Sequence, residues 1–331
     1  MSRRSEGTTV IKSNIISDHH TPNKGERTDY LAKKLLTRNK RQYVQNLTGK
    51  TIAMICAGLL VAVVVSITYF IASKGLTTFF FDGVQIKEFL TGLKWDPEGE
   101  PAAFGVLPFI TGSFLVTMLA ALIAAPLGIG AAIFMTEIYP RFGKKVLKPV
   151  IELLVGIPSV VYGYVGLTLL VPFIRGHFDV LGFSLLAGGL VLALMILPTI
   201  TSVATDAIEA VPQDLRNASL ALGATRWQTI WNVVLHSALP GCLTAIVLGM
   251  ARAFGEALAV QMVIGNTTKL PGGLLDPIST LTSGITLNMG NTIQGTPYNN
   301  ALWSMALLLL LMSFVFNLIL RILSRKKLVN K

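Results

Sequence analysis

Two charges stand alone in the apolar stretch 242–265: Arg252 and, four residues on, Glu256. If the stretch is one helix, the two side chains share a face, one turn apart. Arg252 is the eleventh of 24 residues, which puts the pair near the middle of a bilayer crossing. Charges at that depth are costly and seldom lack a role. Two chemistries fit. In one, guanidinium and carboxylate neutralise each other as a buried pair that serves packing alone. In the other, the forked donors of Arg252 meet the oxygens of a passing tetrahedral oxyanion. Glu256 then either orients the guanidinium or accepts a hydrogen bond from a protonated form of that anion.

Little else has the spacing that chemistry needs. No HExxH, GxSxG or GxxxxGK[ST] pattern occurs, and no carboxylates are paired for acid/base work. The chain is therefore not expected to be an enzyme or to bind nucleotide, and any nucleotide energy must come from a partner. His19, His20, His177 and His236 are scattered, and Cys56 and Cys242 fall in apolar stretches as small packing residues. Neither a metal site nor a disulfide framework follows.

A second arrangement is mechanical. The polar insert 217–241, NASLALGATRWQTIWNVVLHSALPG, separates two long apolar stretches. Pro212 suits the first turn of a helix, Asp214 its positive end, and Leu215, Ala218, Ser219 and Leu222 recur on one face. Gly223 ends that helix. Thr225 and Gln228 form a capping box that starts another, with Trp227, Ile230, Trp231, Val234 and Ala238 as its stripe until Pro240-Gly241 breaks it. The result is a rigid knob that either fits a partner's groove or merely connects two crossings.

These features need a membrane scaffold. The composition is 52% hydrophobic and 14% charged, the mean hydropathy is +0.62, and residues 51–73 hold no charge over a length that as a helix covers roughly 34 Å. Further crossings are expected at 106–136, 149–174, 181–205, 242–265 and 301–320, making six. The second is long for a straight crossing, so Pro108 and Pro126 should divide it into an interfacial part and a kinked span. Basic residues mark the cytoplasmic side. Residues 1–50 carry eleven, 137–148 four and the end after Leu320 five, against one in 175–182 and one in 266–300. Both termini are thus expected in the cytoplasm, and the net charge of +11 mostly records topology. Nucleic-acid binding is not expected. Residues 1–28 read as a disordered tail and 29–50 as a basic interfacial helix attracted to anionic lipid. The first apolar run is long enough to be a retained anchor instead of a cleaved signal.

The insert resembles the EAA loop of ABC-transporter permeases: Asn217-Ala218-Ser219 stands for Glu-Ala-Ala, Gly223 for the glycine, Val233 for the isoleucine and Leu235-His236 for Leu-Pro. The motifs FGVLPFITGS (104–113), IELLVGIPSVVYGYVGL (151–167), LALMILPTITSVATDAIEAVP (192–212) and GMARAFGEALAVQMVIGNT (249–267) are similar to the phosphate-specific permeases of the PstC type. The resemblance implies an all-α integral membrane protein with the type I, MetI-like importer architecture. Its parts would be a tail 1–50, a first transmembrane helix 51–73, an outer loop 74–105, a permease core 106–323 with a coupling loop 206–232, and a basic end 324–331. It also implies that Asn217, Ala218, Ser219 and Gly223 meet a cytoplasmic ATPase of the PstB type, a dimer that holds ATP and Mg2+, while this chain holds no cofactor. A second permease (PstA type), an external binding protein (PstS type), inorganic phosphate and membrane lipid complete the expected partners, in a bacterial inner membrane. Arg252 and Glu256 would then line the phosphate path. Sulfate, molybdate or tungstate would meet the same arginine equally well, and a proton-coupled secondary transporter would also explain the two charges without needing the knob.

Glu152 lies beside the basic loop 144–148 and suits a salt bridge at the membrane surface. Gly156, Pro158, Gly163, Gly166 and Pro198 place small residues and breaks where helices pack or hinge. Residues 265–277, rich in turn formers, are expected at the external mouth.

Overall fold

The computed structural model describes residues 40–329. The expected disordered tail 1–28 and residues 29–39 of the expected interfacial helix lie outside the described residues. The chain divides into two units, Met1–Ile67 and Thr68–Lys331. In the first, the described residues are helical, the beginning of α1 (Lys40–Gly75), and expose apolar side chains such as Ile52, Leu59 and Val65. The residues with candidate functions all lie in the second.

That unit contains α2 (Thr77–Phe80), α3 (Ile86–Thr91), strands β1 (Trp95–Asp96) and β2 (Ala103–Phe104), α4 (Leu107–Ile133), α5 (Pro140–Phe142), α6 (Lys148–Gly156), α7 (Ser159–Val165) and α8 (Val171–Phe178). It continues with α9 (Leu185–Glu209), α10 (Gln213–Ala221), α11 (Arg226–Gln228), α12 (Leu235–Phe254), α13 (Leu258–Gln261), α14 (Leu281–Asn288) and α15 (Pro297–Val329). Wider π turns at Gly143–Leu147, Gly166–Leu170 and Thr229–Val234 keep neighbouring helices continuous, and one at Phe134–Ile138 extends α4 to its end before Tyr139.

Among the described residues six runs are long and apolar enough to cross a membrane: Leu47–Phe80, Leu107–Ile138, Ser159–Phe178, Leu185–Glu209, Arg226–Phe254 and Pro297–Leu318. Their number is the expected one, but proline moves several boundaries. Pro108 opens α4 in its first turn, where no N–H is needed, and Pro126 lies inside without ending the helix. The second span is therefore not divided. Pro158 does break the chain: Ile157 before it is extended, so α6 stands apart and the third span starts at Ser159. Pro240 does not break the fifth span, which runs unbroken from Arg226 to Phe254.

The bundle is centred on α9, with α4 and α12 sharing one buried cluster with it. Small residues permit the close approach: Ala120, Ala124, Gly128 and Ala132 on α4, and Ala238, Cys242, Ala245 and Gly249 on α12 are all buried. Ile200 of α9 fits between two of them. A methyl added at Gly128 would lie 2.8 Å from Ile200 Cγ2, and one added at Gly249 2.7 Å from Ile200 Cγ1.

The expected outer loop 74–105 holds folded elements. β1 and β2 pair antiparallel, Trp95 opposite Phe104, and the Trp95 ring meets Phe104, Phe109 and Tyr298 edge-on. Behind them Phe89, Phe109, Leu302 and Met305 form a second buried cluster. The α4 start is also tied to the segment before α14. Ser113 Oγ accepts from Leu281 N–H at 2.9 Å, and a Cβ at Gly112 would come within 2.0 Å of the Ser279 carbonyl oxygen. Gly112→Val forces backbone apart at that point, so its cost should exceed the ~1–3 kcal/mol of ordinary overpacking. A large drop in thermal midpoint in detergent is expected; an unchanged midpoint would contradict this contact.

Candidate functional site

Arg252 is in the last turn of α12, which ends at Gly255. The structure thus corrects the expectation of two charges one turn apart within a single helix: Glu256 lies beyond the helix end. Gly255, the poorest helix former after proline, opens the break. The Glu256 carboxylate then turns to the next element, with Oε1 accepting from Ala259 N–H at 3.2 Å and so satisfying a donor in the first turn of α13. The Glu256 carbonyl accepts from Thr282 Oγ1 at 2.8 Å. Past α13, Gly265 and Asn266 are both at positive φ, and Ile278 N–H donates to Ile264 O at 3.1 Å.

Arg252 and Glu256 do not form an ion pair. The three ion pairs among the described residues are Lys94 with Asp96, Lys144 with Glu209 and Arg216 with Glu137. Arg252 instead donates from Nη1 to Thr199 Oγ1 of α9 at 3.0 Å. A guanidinium carries five N–H donors, and among the described residues Thr199 is the hydrogen-bond partner this one has. Arg252 is therefore a half-buried cation, held at one corner by a neutral hydroxyl, with donors left for an anion. Glu152, expected in a salt bridge with the basic loop, is in none of these pairs; Lys144 of that loop meets Glu209 at 3.2 Å.

The knob forms at the other end of the fifth span. Gly223 has φ +85, a left-handed conformation that side chains other than glycine or asparagine resist. The capping box is present in both directions, Gln228 N–H to Thr225 Oγ1 at 3.3 Å and Thr225 N–H to Gln228 Oε1 at 2.9 Å. Ser219 Oγ and Thr229 Oγ1, 2.9 Å apart, join the two arms. Asn217 and Ala218 are exposed and Ser219 is half-buried. The expected apolar stripe divides. Ile230, Val234 and Ala238 turn inward, whereas Trp227 and Trp231 stack on each other in the open, 6.1 Å between centroids. Leu222 is exposed as well. The second arm is not a separate amphipathic helix but the first turns of the fifth span.

Sequence reasoning missed the partner of this knob in the bundle. Arg216 donates to Glu137 at the end of the second span, Nη2 to Oε1 at 2.7 Å and Nε to Oε1 at 3.2 Å. It also donates from Nη2 to the Ile208 carbonyl at 3.0 Å and from Nη1 to the Val211 carbonyl. Glu137 is the first charge after the uncharged stretch 106–136, a signal that reads as the start of a basic loop when charge is only counted.

The family model described as "Binding-protein-dependent transport system inner membrane component" matches residues 124–329. A protein of Bacillus subtilis (strain 168) named "Probable ABC transporter permease protein YqgH" is 57% identical over 298 residues, covering 90% of this chain and 96% of its own length. A "Phosphate transport system permease protein PstC" from Xylella fastidiosa (strain 9a5c) is 34% identical over 268 residues, covering 74% of this chain and 82% of its own. The solved structure of a bacterial ABC transporter involved in the import of the acidic polysaccharide alginate shares the fold, with a TM-score of 0.59 at 16% identity over 88% of this chain and 99% of that one. The six apolar spans, the matched residues and the identity to these permeases agree: the chain belongs to the family of binding-protein-dependent transport system inner membrane components and is a multi-pass permease of an ABC importer.

Proposed function

We propose that this permease imports inorganic phosphate, with Arg252 as a transient contact on the path. The observation that carries this reading is the unneutralised guanidinium: Glu256 turns away to Ala259, and Thr199 occupies one of the donors. A guanidinium fork matches a tetrahedral oxyanion in shape and charge. The names of the PstC relatives support phosphate as that anion. In this reading an external phosphate-binding protein delivers the ion, and a second permease of the PstA type completes the path. A PstB-type ATPase dimer, the holder of ATP and Mg2+, grips the knob around Asn217, Ala218, Ser219 and Gly223. Both termini and the knob then face the cytoplasm, the side that the basic loops favour.

Reconstitution in liposomes with the second permease, the ATPase and the binding protein tests the assignment. Phosphate is expected to stimulate ATP hydrolysis several-fold, with little response to sulfate or molybdate. Stimulation by either of those and not by phosphate would refute phosphate as the substrate while leaving the importer reading intact.

A further inference from the structure

We infer that Arg216, clamped to Glu137, is the positioning residue that makes the knob and the membrane bundle move as one body. This rests on the reading that the knob receives the ATPase. None of the nine residues of α10 is buried, so packing alone holds that helix weakly. What holds it is largely polar. Besides the Ser219–Thr229 contact to the fifth span, the Arg216 guanidinium reaches from α10 to three points of the bundle side. Two donors take the Glu137 carboxylate beyond α4, and two more take the carbonyls of Ile208 and Val211, where α9 ends.

The carbonyls at a helix end have no partner within the helix, so the same side chain caps α9 and grips α4's continuation. The pair is almost out of water, with side-chain exposures of 12% for Arg216 and 13% for Glu137. By contrast, Lys144 and Glu209, at 66% and 38%, form a solvated surface pair of little mechanical value. A lysine at 216 keeps the charge but has no planar fork and fails to reach all three acceptors at once. A push on α10 thus reaches α4 and α9 together through Arg216, and through the hydroxyl contact it reaches only the fifth span.

The test uses the full complex with inorganic phosphate and compares wild type with Arg216→Lys and Glu137→Gln. Two measurements are made: amide hydrogen exchange of residues 213–221 against 185–205, and the ratio of phosphate-stimulated to basal ATP hydrolysis. In both variants exchange in 213–221 is expected to rise at least tenfold with 185–205 unchanged, and the ratio to fall toward one while the ATPase still co-purifies. Unchanged exchange, or an unchanged ratio, overturns the inference. If wild type captures no ATPase, the reading of the knob fails separately, and hydrogen exchange alone decides whether Arg216 is the clamp. Arg216→Lys retains the cation opposite Glu137, so a folding failure confined to Glu137→Gln leaves the test in force.

Discussion

Arg252→Gln is expected to cut phosphate uptake by a factor of ten or more, with normal membrane insertion and normal capture of the ATPase. The α9–α12 contact survives, because the buried cluster the two helices share does not include Arg252, but the positive charge and the fork are gone. A hydrogen bond to a charged partner contributes about 1.5–3 kcal/mol, equivalent to roughly 10- to 150-fold in rate or affinity. Arg252→Lys keeps the charge and should retain part of the uptake. Glu256→Gln preserves the acceptor that caps Ala259 and should be milder than either if Glu256 acts by shaping the break. Radiolabelled phosphate uptake into proteoliposomes measures all three. Normal uptake by Arg252→Gln would remove Arg252 from the path.

Gly223→Val is expected to abolish both uptake and ATPase capture. Nothing lies within 4 Å of where a Cβ would stand, so the defect is not a clash but the backbone conformation at φ +85. A left-handed residue with a Cβ costs roughly 1–2 kcal/mol, more when β-branched. With α10 exposed, the corner relieves that strain by changing its angle, which on the proposed reading parts Asn217 and Ala218 from the ATPase. Because asparagine tolerates this region, Gly223→Asn should retain most activity and Gly223→Ala should be intermediate. Co-purification of the ATPase at each substitution measures the series. Loss with asparagine as severe as with valine would mean that the small size of Gly223, and not its backbone, is what matters.

The local features were legible in the sequence. Apolar run lengths give the six spans, Gly223 gives the corner, and Thr225 with Gln228 gives the capping box, because each is decided within a few residues. Proline was only partly legible: Pro108 starts a helix, Pro126 and Pro240 are absorbed, and Pro158 breaks the chain. Which fate applies depends on neighbouring turns and packing that no short window contains. The geometry of Arg252 and Glu256 was misread for the same reason. Their spacing suggests one helical face, but Gly255, the cap on Ala259 and a hydroxyl from Thr282 together favour a break. Arg216 and Glu137 lie 79 positions apart, and only the fold brings them together.

The seat of Ile200 between Gly128 and Gly249 limits how this bundle is able to change shape. One turn either way along α4 stands Ala124 or Ala132, and one turn either way along α12 stands Ala245 or Ala253. Each of those carries the methyl that the 2.7 and 2.8 Å approaches leave no room for. A one-turn ratchet of α4 or α12 past α9 would thus drive a methyl into Ile200. The three helices behave as cut keys in a lock with one position. Motion that opens and shuts a path must therefore tilt them as a block.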